Sequence, residues 1–203
     1  MTTAGDWKAR PAGPEYETTR QRLVDAAELV VRDRGVAALR LDSVAEAVDL
    51  HRSSFYRYFD SKEELITAVV VQASLRVGVR VIAQLGDDAA PEQYLVDGLV
   101  IALGEMGDNP VFTSLLAPAA SASMARIAGS ALTEGIRPLI EPMFVAAADR
   151  GVLRAGVTPE DAVQWLQIVA TGLLRLPGLP TPDALRALLR RMLLPALLDV
   201  RPD

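Results

Sequence analysis

Side chains that can donate hydrogen bonds are concentrated in one short stretch of the sequence, residues 51–62. Its donor-bearing residues include His51, Arg52, Ser53, Ser54, Tyr56, Arg57, Tyr58 and Lys62. The stretch holds three basic residues and one acid, Asp60, although the whole chain carries a formal net charge of −5. Guanidinium, ammonium and hydroxyl groups bind phosphate oxygens and the acceptor edges of bases. We call residues 51–62 the donor segment, and its chemistry favours binding of a nucleic acid.

The elements around the donor segment form a helix-turn-helix pattern. Apolar spacing predicts a helix that begins at a Thr18 cap and ends at Gly35, then two short helices at about 41–48 and 52–59. Asp49 falls in the turn, where a left-handed residue is needed and where Asp is tolerated better than most residues. The residues spaced to form the small core are Val44, Val48, Leu50, Phe55 and Phe59. Two short helices joined by a tight turn are typical of DNA-binding units, although most such units in helical proteins only pack.

The rest of the chain also has helical periodicity, so the predicted fold class is all-α with about nine helices. A long helix begins near Ser61, with Lys62 in its first turn, and runs to about residue 85. Thr158-Pro159 and Thr181-Pro182 predict the starts of two strongly apolar helices. The segment 121–150 contains Pro138 and Pro142, which predict a kink or a split.

Composition excludes several kinds of site. The chain of 203 residues has no Cys and one His, which excludes disulfides and thiol nucleophiles and makes a histidine-rich metal site or a Ser-His-Asp triad improbable. We therefore expect no catalytic residues, no metal and no cofactor. No signal peptide is visible and no apolar stretch reaches the length of a membrane span, so we expect a cytoplasmic protein without membrane contact.

The stretch from about Arg20 to Leu65 resembles the N-terminal DNA-binding domain of the tetracycline-repressor (TetR) family of bacterial regulators. The matching residues are Ala26-Ala27, Gly35, Val44-Ala45, the block from Phe55 to Phe59, and Ser61-Lys62-Glu63-Glu64-Leu65. The aromatic block followed by the lysine is quite specific, although the match covers only about a quarter of the chain. The resemblance implies a flexible tail at 1–17, a DNA-binding domain at 18–65, and a ligand-binding and dimerisation domain at 66–203.

The resemblance also implies roles for individual residues. Arg52, Ser53 and Ser54 would lie nearest the base edges, while Tyr56, Tyr58 and Lys62 match positions that contact backbone phosphates. Phe55 and Phe59 match core positions. Three residues depart from the family pattern: Asp49 replaces a turn glycine, His51 stands where a small hydroxyl residue commonly caps the helix, and Arg40 stands where a Thr usually starts the second helix. A phosphate contact by Arg40 is plausible, and His51 is left open as a cap, a phosphate contact or neither.

The C-terminal part is expected to dimerise through its last two helices. Their apolar residues exceed what one face needs, and they are Val163, Leu166, Val169, Ala170, Leu173, Leu174, Leu185, Leu188, Leu189, Met192, Leu193 and Leu197. The alternative is a pair of buried core helices. By the resemblance, a two-fold dimer would read a palindromic operator in double-stranded DNA.

The effector pocket is the part least defined by the sequence. The candidate residues for it are Met106, Phe112, Met124, Phe144, Trp165 and Gln167. They favour a hydrophobic small molecule of unknown identity, with ordinary core packing as the alternative for each residue. The predicted function is a ligand-responsive transcriptional repressor. The alternatives are a helical ligand-binding or interaction protein with a non-functional helix-turn-helix, and a small helical enzyme for which no residues can be named.

Overall fold

The structure is a computed structural model that describes residues 13–86, 89–116, 122–176 and 178–199. These residues form helices and connecting turns and contain no β-strand, so the all-α prediction is confirmed. The chain divides into two compact units, Met1–Val69 and Val70–Asp203, and one helix crosses the division. The domain boundary predicted at residue 65 lies inside that helix, four residues before the division between the units.

The first unit begins with helix α1, Pro14–Arg34. Thr18 is not its cap, because the Thr18 hydroxyl donates to the carbonyl oxygen of Pro14 at 2.7 Å from inside the helix. Pro14 occupies the first helical position, where its missing N–H costs nothing. Residues 14–17 are therefore helical, which corrects the predicted tail, and residues 1–12 lie outside the described part. Gly35, with a φ of 76°, ends α1 as predicted.

Two short helices follow a turn of 3-10 helix at Val36–Ala38. They are α2, Leu41–Glu46, and α3, Arg52–Phe55, both shorter than the sequence predicted. Asp49 lies between them with a φ of 62°, which confirms the predicted left-handed residue. The predicted core is present: Val44, Phe55 and Phe59 are fully buried, and Val48 is 5% exposed. Leu50 is only half-buried.

Helix α4, Lys62–Leu85, begins at a capped turn. The backbone N–H of Glu64 donates to Ser61 Oγ at 3.0 Å, and Glu64 Oε2 accepts from the backbone N–H of Asp60 at 2.6 Å. By length and composition alone α4 could cross a membrane, with a hydropathy of 1.7 over a window that is 44% buried. The expectation that no apolar stretch reaches that length was therefore wrong. Such a helix is weak evidence for a span, because core helices have the same composition.

The second unit contains the rest of α4 and the remaining helices. They are α5 (Pro91–Gln93), a π-helical segment (Tyr94–Gly98), α6 (Leu99–Gly107), α7 (Pro110–Leu116), α8 (Ala122–Asp149), α9 (Pro159–Leu174), α10 (Pro182–Met192) and α11 (Leu194–Leu197). The first three are continuous and α11 directly follows α10, so the described part of the chain has nine helical segments, as predicted. Helix α8 is unbroken at Pro138 and Pro142, which corrects the predicted split.

The predicted caps of the last long helices are present. At α9, Thr158 Oγ1 accepts from the backbone N–H of Asp161 at 3.1 Å, and the Asp161 carboxylate accepts from the backbone N–H of Thr158 at 3.0 Å. At α10, Thr181 Oγ1 accepts from the backbone N–H of Ala184 at 3.4 Å. These caps satisfy N–H groups that have no partner within the helix. The caps therefore fix the starting residues of two helices that pack in the core of the second unit.

Candidate nucleic-acid interface and ligand cavity

His51 is the cap of α3. Its Nδ1 accepts a hydrogen bond from the backbone N–H of Ser53 at 3.4 Å, and Ser53 Oγ lies 2.9 Å from the same nitrogen. Of the three roles left open for His51, capping is therefore the one that the structure contains. The cap orients the first turn of α3, where Arg52, Ser53 and Ser54 lie.

Arg52 is held by an acidic residue of the preceding helix. Its Nε lies 3.1 Å from Asp42 Oδ1, and its Nη1 donates to Asp42 Oδ2 at 3.3 Å. Both side chains are more than half exposed, so solvent weakens the attraction. A hydrogen bond with Tyr56, and then the Asp42 carboxylate, raise the pKa of Arg52 above its ordinary value. The guanidinium is thus a permanently charged donor at the start of α3.

The aromatic block divides between core and surface. Phe55 and Phe59 are fully buried with ring centroids 5.7 Å apart, whereas Tyr56 is 47% exposed. Tyr58 is half-buried, and its ring stacks on that of Tyr16 at 4.9 Å. The Tyr16 hydroxyl also donates to the backbone carbonyl of Arg57 at 3.3 Å. The sequence reasoning missed Tyr16, because no local pattern links α1 to a residue about forty positions later.

The remaining predicted contacts lie at helix starts. Arg40 is exposed and immediately precedes α2, and Lys62 is half-buried as the first residue of α4. Ser53 and Arg57 are exposed, while Ser54 is half-buried. The first unit therefore combines an exposed set of cations and hydroxyls with a buried aromatic core. That combination suits a surface that binds phosphates and base edges.

A cavity of about 530 Å³ lies within the second unit. Its wall is formed by α4, the π-helical segment, α6, α8 and α9, and its larger apolar residues include Val77, Leu103, Met106, Leu139, Ile140 and Met143. A volume of this order is typical of sites for small molecules. A π-helical segment is rare and is found disproportionately at functional sites. The cavity is therefore the candidate ligand site of the described residues.

Two of the six residues predicted for the effector pocket, Met106 and Gln167, line this cavity. Phe112 and Phe144 are almost fully buried in packing and do not line it, since their rings are enclosed by the helical core. Trp165 is 44% exposed, because it lies on the opposite side of α9 from the buried Val163 and Leu166. The side chain of Met124 lies outside the described part of the chain.

Gln167 has an unusual position in this wall. Its Nε2 is a buried nitrogen without a hydrogen-bond partner among the described residues. A buried donor without a partner costs free energy, so it is expected to meet an acceptor in some state of the protein. Gln167 was predicted for the pocket because it is a polar residue on an apolar helix.

Helices α9 and α10 carry apolar residues that the chain does not bury. Ile168 is 58% exposed and Met192 is 68% exposed, and the same helices expose Trp165 and Leu188. We call these four residues the exposed apolar face. Six of the residues predicted for dimerisation instead belong to the core of the second unit, namely Val163, Leu166, Leu185, Leu189, Leu193 and Leu197. Val169, Ala170, Leu173 and Leu174 pack against the same core, so only Leu188 and Met192 of the residues predicted for dimerisation are exposed.

Known proteins match this chain both in its N-terminal part and over most of its length. The sequence model of bacterial regulatory proteins of the tetR family matches residues 23–69. An uncharacterized HTH-type transcriptional regulator from Mycobacterium tuberculosis is 29% identical over 181 residues, which cover 88% of this chain and 85% of that protein.

Two solved structures resemble the chain over most of its length. RolR in complex with resorcinol has a TM-score of 0.72 at 18% identity, covering 92% of this chain and 90% of RolR, and at that identity the likeness concerns the fold. NalD, the secondary repressor of the MexAB-OprM multidrug efflux pump in Pseudomonas aeruginosa, has a TM-score of 0.55 at 26% identity, covering 92% of this chain and 100% of NalD.

Proposed function

Because the chain belongs to the TetR family of bacterial regulatory proteins, we propose that it is a transcriptional repressor that is released from a palindromic operator by a small effector. The observation that carries the proposal is the pairing of the donor segment in the first unit with a cavity in the second. NalD is named as a repressor, and RolR was solved with a small phenol, which supports both halves of the proposal.

In this proposal different residues of the donor segment contact different parts of the DNA. Arg52, Ser53 and Ser54 contact base edges, and Arg52 can donate two hydrogen bonds to a guanine. Tyr56, Tyr58 and Lys62 contact backbone phosphates, which supply affinity without regard to sequence. Arg40, His51 and Arg57 add donors at the edge of the same surface. Helix α4 begins with Lys62 and lines the cavity from Ser74 onward, so an effector contacts the helix that carries a phosphate-binding lysine.

The binding experiment uses the DNA upstream of the protein's own gene in gel-shift titrations at several salt concentrations. Lys62→Ala and Tyr56→Phe should weaken binding to every sequence, and Lys62→Ala should lower the salt slope by about one. Arg52→Ala should instead reduce the preference for the operator over unrelated DNA, by about 1–3 kcal/mol of discrimination.

Phe59 lies on the buried side of the same aromatic block. We assign it to the core and not to DNA, so it contrasts with the three surface residues. Unchanged affinity in all three surface variants would show that the donor segment does not bind DNA. In that case the second candidate, a helical ligand-binding protein with a non-functional helix-turn-helix, is supported by the cavity alone.

The proposed dimer forms through the exposed apolar face. Large apolar residues exposed on the two last long helices are typical of a surface that a second copy covers. Ile168→Asp should convert the dimer into a monomer in analytical ultracentrifugation and weaken operator binding, since both half-sites must be occupied together. A matched change on the outside of α8, Val145→Asp, should leave the dimer intact because Val145 is 45% exposed on another helix. A dimer that survives Ile168→Asp would place the interface elsewhere.

A further inference from the structure

The wall of the cavity contains hydrogen-bond donors but no carboxylate among the described residues, and most of it is aliphatic. Glu105, which lies between the lining residues Leu103 and Met106 in sequence, pairs with Arg80 at 2.7 Å. A cation in this cavity would lose its hydration without gaining a counter-charge, which is strongly unfavourable. An anion would meet one charged residue of the wall, Arg150, but that side chain is exposed, so water screens its charge and it offsets little of the hydration that the anion loses.

The hydroxyl donors of the wall are engaged within the protein. The Ser74 hydroxyl donates to the Val70 carbonyl at 2.8 Å, and the Tyr94 hydroxyl donates to the Gly86 carbonyl at 2.8 Å. Arg150 is exposed, and its Nε donates to the Ala146 carbonyl at 3.0 Å. Gln167 Nε2 is the buried side-chain donor of the wall that has no partner among the described residues. The group that it lacks is a hydrogen-bond acceptor.

We propose that the cavity binds an uncharged, largely apolar molecule whose single essential polar feature is an oxygen that accepts a hydrogen bond from Gln167. This inference rests on the proposed function, in which the cavity is the effector site, and it adds the chemical class of the effector. Apolar contact supplies most of the affinity, because the wall is aliphatic over α4, α6 and α8. Gln167 supplies selectivity, because a ligand without an acceptor leaves the donor unpaired.

The experiment is calorimetric titration of the full-length protein, without DNA, with four compounds that share a diphenylmethyl frame. Benzophenone carries an acceptor oxygen, diphenylmethane carries none, diphenylacetate is an anion, and benzhydryltrimethylammonium is a fixed cation. Benzophenone should bind about threefold to tenfold more tightly than diphenylmethane, the size of one net hydrogen bond. The anion and the cation should both bind more weakly than benzophenone.

Substitutions at Gln167 make the test specific. Gln167→Leu should bring benzophenone down to the affinity of diphenylmethane, while Gln167→Glu should weaken benzophenone and strengthen the cation. The matched control is Gln84→Leu, the same change at an exposed residue of α4 that does not line the cavity, and it should change none of the affinities.

Three results would overturn the inference. They are equal binding of benzophenone and diphenylmethane, a preference for either ion in the unaltered protein, and no binding of any of the four compounds. Gel-shift titration with operator DNA is measured separately and needs no ligand. Failure of the ligand class with DNA binding intact therefore overturns this inference alone, whereas loss of DNA binding with benzophenone selectivity intact overturns the proposed regulator.

Discussion

The two candidate sites of this chain are built in opposite ways. In the first unit the side chains proposed to contact DNA are exposed or half-buried, and consecutive residues near a helix start supply most of them. In the second unit the candidate site is a cavity whose wall gathers residues from α4 through α9, nearly a hundred positions apart. A surface site of the first kind depends on local turns and caps, whereas a cavity depends on how distant helices pack.

The largest expected effect tests whether the two sites are separable. Phe55→Ala removes a fully buried ring that stacks on Phe59, so the first unit should lose about 3–5 kcal/mol of stability. Operator binding should disappear in gel shifts, while calorimetric binding of benzophenone by the second unit should persist.

The neighbouring exposed residue gives the control. Tyr56→Ala removes a ring that is 47% exposed, so it should weaken DNA binding without a comparable loss of stability in denaturant titrations. If Phe55→Ala abolished both activities together, the two sites would share one cooperative fold and the comparison would fail.

A smaller effect tests the cavity without touching Gln167. A Cβ at Gly78 would overlap Cδ1 of Leu139, and both residues line the cavity. Gly78→Ala should therefore push the end of the Leu139 side chain aside and weaken benzophenone binding. The net change in stability should be small, because alanine adds about 0.5–1 kcal/mol to a helix, which offsets the cost of moving a flexible side chain.

Gly104 of α6 offers a matched control, because a Cβ there meets nothing within 4 Å. Gly104→Ala should stabilise its helix by about 0.5–1 kcal/mol and leave ligand affinity unchanged. Ligand affinity that is unchanged in Gly78→Ala as well would mean that Leu139 does not shape the binding space.

Features that depend on adjacent residues could be predicted from the sequence, whereas features that depend on the packing of distant helices mostly could not. The left-handed residue at Asp49 and the cap at Ser61 were predictable, because each depends on a few adjacent residues. The contribution of Tyr16 was not, because its partners Arg57 and Tyr58 are far away in sequence. In the second unit Gln167 could be identified from its polarity on an apolar helix. Trp165 could not be placed, because periodicity marks helical faces without saying which one turns inward.

The smallest expected effect on stability concerns the ion pair between α8 and α9. Arg137 donates two hydrogen bonds to Glu160, at 2.7 and 2.8 Å, and these lower the pKa of Glu160 below its ordinary value of 4.5. A lowered pKa in the folded state stabilises the fold above the ordinary value and stops doing so as the pH falls through the folded value.

Glu160→Gln should therefore lower Tm slightly at neutral pH, where the Arg137 pair is intact, and should flatten the fall of Tm between about pH 5 and pH 3. Both effects should be small because the pair is exposed. Asp161, whose pKa is lowered by its hydrogen bonds with Thr158, should preserve part of the fall. An identical pH profile in the variant and the parent protein would show that the pair contributes nothing to stability.

The exposure of Trp165 has a practical consequence. The chain contains two tryptophans, and the other, Trp7, lies outside the described residues. In a Trp7→Phe background the indole fluorescence of the protein would come from the exposed apolar face alone. In the proposed dimer water leaves the indole, so the emission maximum would shift to shorter wavelength as protein concentration rises. A single intrinsic chromophore would thus report the proposed self-association continuously and without an added label.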